Sequence, residues 1–155
     1  MIRYSSVREK LRAFTLLELV LVTAIAAIVF TVSASATVTY YRTSVVDSEL
    51  RGMTANLRKA RQTAIGNATA SDYSIKLLSD SYVLFPGTTY SASNPSNERF
   101  YLENSVILSS SFTNNIITFK KFTGRTDIAG TINLSGFDLT KQIYINSLGI
   151  VESIN

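Results

Sequence analysis

From Leu19 to Tyr41 the chain carries no charged residue, and Val, Leu, Ile, Ala and Phe dominate the stretch. The hydrocarbon core of a bilayer is about 30 Å thick and takes roughly 20 apolar residues to span as a helix, so this run is long enough. Its flanks are unequal. Arg3, Arg8, Lys10 and Arg12 precede it against a single acid, Glu9. Excess Lys and Arg stays on the cytoplasmic side, which points whatever follows the run outward. Glu18 stands at the start of the apolar stretch, four residues after Phe14. A charge at mid-membrane costs about 2.5–3.5 kcal/mol on insertion scales, and an ionisable residue kept there by default marks a function.

Two ordinary readings compete for this segment. A cleaved secretory signal has an apolar core of about 7–15 residues ending in a small-residue site. Ser33-Ala34-Ser35-Ala36 resembles such a site, but the run before it is longer and contains Glu18. A plain signal anchor accounts for the length and not for the carboxylate.

The string Ala13-Phe14-Thr15-Leu16-Leu17-Glu18-Leu19-Val20-Leu21-Val22 after a short basic leader closely resembles the class III signal of type IV pilins and pseudopilins. That resemblance implies cleavage by a prepilin peptidase between Ala13 and Phe14, and methylation of the new amino group on Phe14. It also implies that Glu18 is the assembly carboxylate, paired with a neighbouring subunit's amine. The family usually has Gly before the cut, where this chain has Ala13.

Composition narrows the rest. The chain has 155 residues and a formal net charge of +4. Residues 1–13 hold four of the 15 basic and one of the 11 acidic side chains, so eleven and ten remain, a net of +1. A nearly neutral body gives no broad field for phosphate binding. Cys and His are both absent, which removes disulfides, thiolate metal sites and the common nucleophile–imidazole arrangements. No cofactor is implied, and an enzyme is not expected.

The helix continues past the apolar run. Val46, Leu50, Met53, Leu57, Ala60 and Ala64 follow one another at spacings of 4, 3, 4, 3 and 4, the stripe of an amphipathic helix. Asp47, Glu49, Arg51, Arg58, Lys59 and Arg61 occupy the other face, with Asp47 and Arg51 spaced for an i,i+4 pair. Gly52 is a weak point inside the helix, and Gly66-Asn67 is a C-terminal stop. Tyr40 and Tyr41 sit where the helix would leave a bilayer, a place tyrosines favour.

After Gly66 the pattern turns to period two. The expected strands are Tyr73–Leu78 and Tyr82–Phe85 as a hairpin, Phe100–Leu102 and Val106–Leu108 as two short strands or one bent strand, Ile116–Phe122, Gly130–Leu134, Gln142–Ile145 and Ile150–Ile154. Turns fall at Gly124, Gly136 and Gly149, and the segment 86–97, rich in Ser and Asn, reads as a mobile loop. The expected product is an α+β, pilin-like chain. A long N-terminal helix, membrane-spanning in its first half and amphipathic in its second, packs on an antiparallel head of six or seven strands. The divisions are a leader at 1–13, a hydrophobic assembly half at 14–38, an amphipathic half at 39–66 and a head at 67–155.

The helix end, Leu57–Ile65, and the later order of Ile117-Thr118-Phe119, Gly124, Thr131–Leu134, Ile143-Tyr144-Ile145 and Gly149-Ile150-Val151 resemble the GspH/FimT group. That resemblance implies a minor pilin or pseudopilin of a type IV pilus, type II secretion or competence filament. The implied partners are the prepilin peptidase, other pilins, the assembly platform and the membrane. The implied place is the bacterial inner membrane as a single-pass protein with its head outside the cytoplasm, then the filament.

DNA uptake is the alternative, since some FimT-like minor pilins bind DNA through a basic C-terminal motif. Here no basic residue follows Lys141. Lys120, Lys121 and Arg125, with Phe119 and Phe122 among them, are the weak candidates for nucleic-acid contact, against a solvated face as the bland reading. Period-two alternation requires at least one of the two phenylalanines to be core. Asp127 and Asp138 in turns fall far short of the 6–8 oxygens that calcium takes.

Overall fold

The stripe from Val46 to Ala64 is the seam of the fold. The computed structural model describes residues 14–66 and 70–154, without the side chains of residues 32–36, 153 and 154. The leader with Ala13 lies outside the described residues, as do Asn67 and the side chains of the Ser33–Ala36 signal site. Helix α1 runs from Leu16 to Ile65, uninterrupted at Gly52. The chain divides into two compact units, Met1–Thr39 and Tyr40–Asn155, and α1 contributes residues to each.

In the second unit all six stripe residues are buried, none more than 6% exposed. Each large apolar side chain moved out of water stabilises by about 1.5–3 kcal/mol, which is why a helix with one apolar face adheres to a sheet. Eight strands are described: β1 (Tyr73–Leu77), β2 (Ser81–Pro86), β3 (Glu98–Tyr101), β4 (Ile107–Ser110), β5 (Ile116–Phe119), β6 (Gly130–Gly136), β7 (Leu139–Ile145) and β8 (Val151–Ile154). They form two antiparallel sheets and not one, in the orders β3-β2-β1-β5 and β4-β6-β7-β8. Ile75, Leu84 and Phe119 from the first sheet meet Ile132, Leu134 and Ile143 from the second in one core with the helix stripe.

Of the two alternatives for residues 100–108, the structure has the two short strands, and they lie in different sheets. Between them the Ser79-Asp80 turn ties the sheets together, its carbonyls accepting the N–H groups of Leu108 (3.0 Å) and Leu102 (2.9 Å). The strand expected to reach Phe122 stops at Phe119. There Lys120 N–H bonds the Arg125 carbonyl at 2.8 Å and closes a loop, with Phe122 in the left-handed region at φ 64.

The polar segment after Pro86 folds back. Tyr90 meets Phe85 edge-on at 5.5 Å, and Asn97 Nδ2 donates to the Ser91 carbonyl at 2.8 Å. Phe85, on the outer face of β2, is thereby sealed at 1% exposure.

The β6–β7 turn sits where it is expected, but Gly136 does not supply the positive φ. Phe137 (φ 53) and Asp138 (φ 64) do, the two-residue conformation that matches strand twist. Gly136 is required for another reason: a Cβ there would lie 2.6 Å from the Ser105 carbonyl oxygen. The turn sets Phe137 against the core, where the Arg42 guanidinium lies 5.7 Å over its ring.

Candidate functional site

Of the residues the resemblance singles out for processing and assembly, Phe14 and Glu18 are described, at the start of α1. Phe14 and Thr15 are not helical and Leu16 is. Thr15 is the N-cap. Its carbonyl accepts the N–H of Leu19 at 3.1 Å, and its hydroxyl accepts the N–H of Glu18 at 3.2 Å. A helix leaves its first N–H groups without intrahelical partners, and a threonine hydroxyl satisfies one of them. Glu18 is therefore in the first turn, where a carboxylate also interacts favourably with the positive end of the helix dipole. The sequence reading passed over Thr15. The signal was present: Thr-x-x-Glu before an apolar run is a capping-box pattern.

Beyond Glu18 the helix is apolar on every side. Leu19, Val20, Leu21, Val22, Ile25, Ile28, Val29 and Phe30 are all more than half exposed, as are Leu16 and Leu17 before it. Its hydroxyls turn inward: Thr23 donates to the Val20 carbonyl at 3.0 Å, and Thr31 to those of Ala27 and Ile28, both at 2.9 Å. Consecutive exposed apolar positions leave this segment no polar face for water. Among the described residues no helix is long and apolar enough to cross a membrane. The uncharged run of the sequence passes through residues 32–36, whose side chains are not described.

The second candidate group, Lys120, Lys121 and Arg125, lies in the loop after β5. Lys120 is occupied, 3.1 Å from Asp127 and 3.5 Å from Asp72. Its hydrogen bond to the Asp127 carboxylate, outweighing some desolvation, holds its ammonium above the ordinary lysine pKa. Lys121 donates its backbone N–H to Asp72 at 2.9 Å and sets its ammonium 5.8 Å from the Phe122 ring. Phe119 is core at 0% exposure, while Phe122 is 63% exposed. The loop thus exposes one aromatic ring, beside the Lys121 ammonium, and two carboxylates offset part of its positive charge. Asp127 serves Lys120, and Asp138 serves a turn. Among the described residues no cluster of three or more acids has the arrangement of a metal site.

Asp47 and Glu49 are both used within the head. Asp47 reaches Lys141 at 3.6 Å, not Arg51, and Glu49 accepts the N–H of Glu103 at 3.3 Å. Lys59 pairs with Glu98 at 2.7 Å. Arg61 closes the far end of the helix on the last loops. Its Nε donates to the Gly124 carbonyl at 3.3 Å and its Nη2 to that of Leu148 at 3.5 Å.

The chain has counterparts among solved structures over about three quarters of its length. It is similar to the minor pseudopilin EpsH from the type 2 secretion system of Vibrio cholerae, with a TM-score of 0.53 at 10% identity over 71% of this chain and 96% of that one. It is similar also to the type IV minor pilin FimU of Pseudomonas aeruginosa PAO1, with a TM-score of 0.55 at 14% identity over 74% of this chain and 88% of that one. The fold is pilin-like. No protein-family profile and no curated protein matches the chain, so at these identities the likeness is one of architecture. The pilin-like head has eight strands, in two sheets, where six or seven strands are expected. It matches that expectation in its helix seam and its antiparallel pairing.

Proposed function

We propose that the chain is a minor pilin or pseudopilin, a structural subunit of a type IV pilus, type II secretion or competence filament. The leader holds the N-terminus in the cytoplasm while the head crosses the inner membrane. A prepilin peptidase cuts between Ala13 and Phe14, and the new amine on Phe14 is methylated. The apolar helix stores the subunit in the membrane as a single span until the assembly platform draws it into a filament, where helix–helix contact replaces lipid.

The observation that supports this reading most is the position of Glu18 in the first turn of an otherwise apolar, exposed helix carried by a pilin-like head. An unpaired carboxylate entering a helical bundle is costly, so it seeks a cation. An amine at a neighbour's Phe14 would supply one. This chemistry needs no catalytic group, and the reading is of a structural subunit and not an enzyme. The pairing of Lys120 with Asp127 and Asp72 takes support away from a DNA-uptake role. The test is the fraction of a Glu18→Ala variant recovered in filaments. Membrane insertion and processing should be unchanged while incorporation falls at least tenfold. Normal incorporation would remove the assembly role.

A further inference from the structure

The two sheets leave a groove where β3 ends and β4 begins. Tyr101 lines it from the first sheet and Ile107 from the second, with the Ser79-Asp80 turn between them and Glu103 and Asn104 from the connecting loop. Its volume is about 360 Å³, within the range of about 300–1,000 Å³ that small-molecule sites occupy. The loop sends Leu102 and Val106 into the core, yet Tyr101 stays 72% and Ile107 60% exposed.

The loop is held in place before any ligand arrives. Leu102 N–H donates to the Asp80 carbonyl at 2.9 Å, and Val106 N–H to the Glu103 carbonyl at 2.8 Å. Glu103 N–H donates to a Glu49 carboxylate oxygen at 3.3 Å. Gly136 lies against the Ser105 carbonyl, where a Cβ would come within 2.6 Å. A site fixed in this way loses little conformational freedom when it binds.

Its polar groups are of both kinds. The Ser81 hydroxyl donates to Asp80 Oδ1 at 2.9 Å. The other Asp80 oxygen, the Glu103 carboxylate and the Asn104 amide have no partner among the described residues. Arg99 stands two residues before Tyr101, on the same face of β3. Its guanidinium donates to the Tyr90 hydroxyl at 3.2 Å and lies 5.8 Å over the Tyr101 ring. Counting Glu49, three carboxylates stand against this one guanidinium, which disfavours an anionic ligand. A cationic side chain is disfavoured too, because Arg99 already holds the place over the ring that it would take. A hydroxyl-rich ring suits every group present. Its hydroxyls donate to the carboxylates and accept from Arg99 and the Asn104 amide, while its C–H face covers Tyr101 and Ile107.

We propose that this groove binds a neutral glycan, stacked on Tyr101 and held through its hydroxyls by Asp80, Glu103 and Asn104. The site goes beyond the subunit role above. It adds a ligand to the head and requires neither cleavage nor assembly.

The full chain, in a detergent without a sugar headgroup, is mixed with chitotriose, cellotriose or mannotriose, and saturation-transfer NMR is read at the sugar protons. Transfer to the ring C–H protons of at least one trisaccharide is expected. Tyr101→Ala should weaken that binding at least tenfold and Tyr101→Phe less than threefold, since the ring does the stacking. Glu103→Gln should weaken it at least fivefold. Arg51→Ala, outside the groove, should leave it unchanged. A second readout needs no variant: nitration of Tyr101 by tetranitromethane, mapped by mass spectrometry, should slow at least fivefold at saturating trisaccharide. No transfer to any of the three sugars, binding indifferent to Tyr101→Ala, or unaltered nitration would overturn the proposal. So would a groove that prefers an oligolysine peptide or heparin.

Discussion

Arg61 donates to the Gly124 carbonyl at 3.3 Å, and Gly149 lies so close to that same carbonyl that a Cβ would overlap it. Three residues far apart in sequence thus share one point, where the end of α1 meets the loops after β5 and β7. Phe122 N–H reaches the Ala64 carbonyl at 2.9 Å beside it, giving one of the last helix carbonyls a partner. Gly149 also has φ +74, a backbone region that costs an ordinary residue about 1–3 kcal/mol. Gly149→Ala should therefore lower head stability by at least that much, read as a drop in the urea midpoint of the full chain in detergent. Arg61→Met should cost about 1 kcal/mol for its hydrogen bonds. An unchanged midpoint for Gly149→Ala would contradict the close approach.

Leu57 has 0% exposure in the middle of the helix stripe. Leu57→Ala should cost about 2–5 kcal/mol, the range for emptying a packed core site. Arg51→Ala, on an exposed position of the same helix, should stay within about 0.5 kcal/mol. Comparable losses for the two in urea titrations would mean that the stripe is not the seam.

Alkaline pH should unfold the head. Burial raises the phenol pKa of Tyr73 and of Tyr82 above the ordinary tyrosine value, and the Asp127 hydrogen bond raises Lys120. A folded-state pKa above the unfolded one adds stability that is fully present below the unfolded value. That stability is lost as pH rises through the folded value. With unfolded values of about 10 for tyrosine and lysine, stability should be level at neutral pH and decline above about pH 10. Tyrosinate absorbance followed with circular dichroism should show the last part of the rise together with loss of the fold. Tyr82→Phe should remove part of that late rise. Complete ionisation in an intact fold would count against it.

Thr15 and Glu18 can be separated. Thr15→Val removes the hydroxyl that accepts the Glu18 N–H and should weaken the helix start by about 1 kcal/mol while keeping the carboxylate. Glu18→Gln keeps the backbone N–H and removes the charge. Assembly should survive the first change, reduced by less than threefold, and fail with the second. The reverse order in filament yield would make capping, and not charge, the role of this pair.

The sequence was legible where the physics is local. The spacing of Val46, Leu50, Met53, Leu57, Ala60 and Ala64 is a property of one helix, and all six are buried. The β1–β2 hairpin is closed by a short turn, and its register follows from nearby residues. The split into two sheets was not legible, because β3 and β4 differ only in which distant strands they join, β2 and β6. Ion pairs fail for the same reason. Asp47 has Arg51 one turn away but meets Lys141 across the fold. Candidate basic residues were legible as a group. Their neutralising partner Asp72, 48 residues before Lys120, was not.

The central claim is that Phe14 becomes the first residue of an assembled subunit. Intact mass and N-terminal sequencing, with and without a co-expressed prepilin peptidase, test it most directly. The expected result is a chain beginning at Phe14, carrying a methyl group, only when the peptidase is present, with Ala13→Gly cut at least as fast. A chain left uncut even as Ala13→Gly, or one cut near Ala36, would contradict the filament-subunit account.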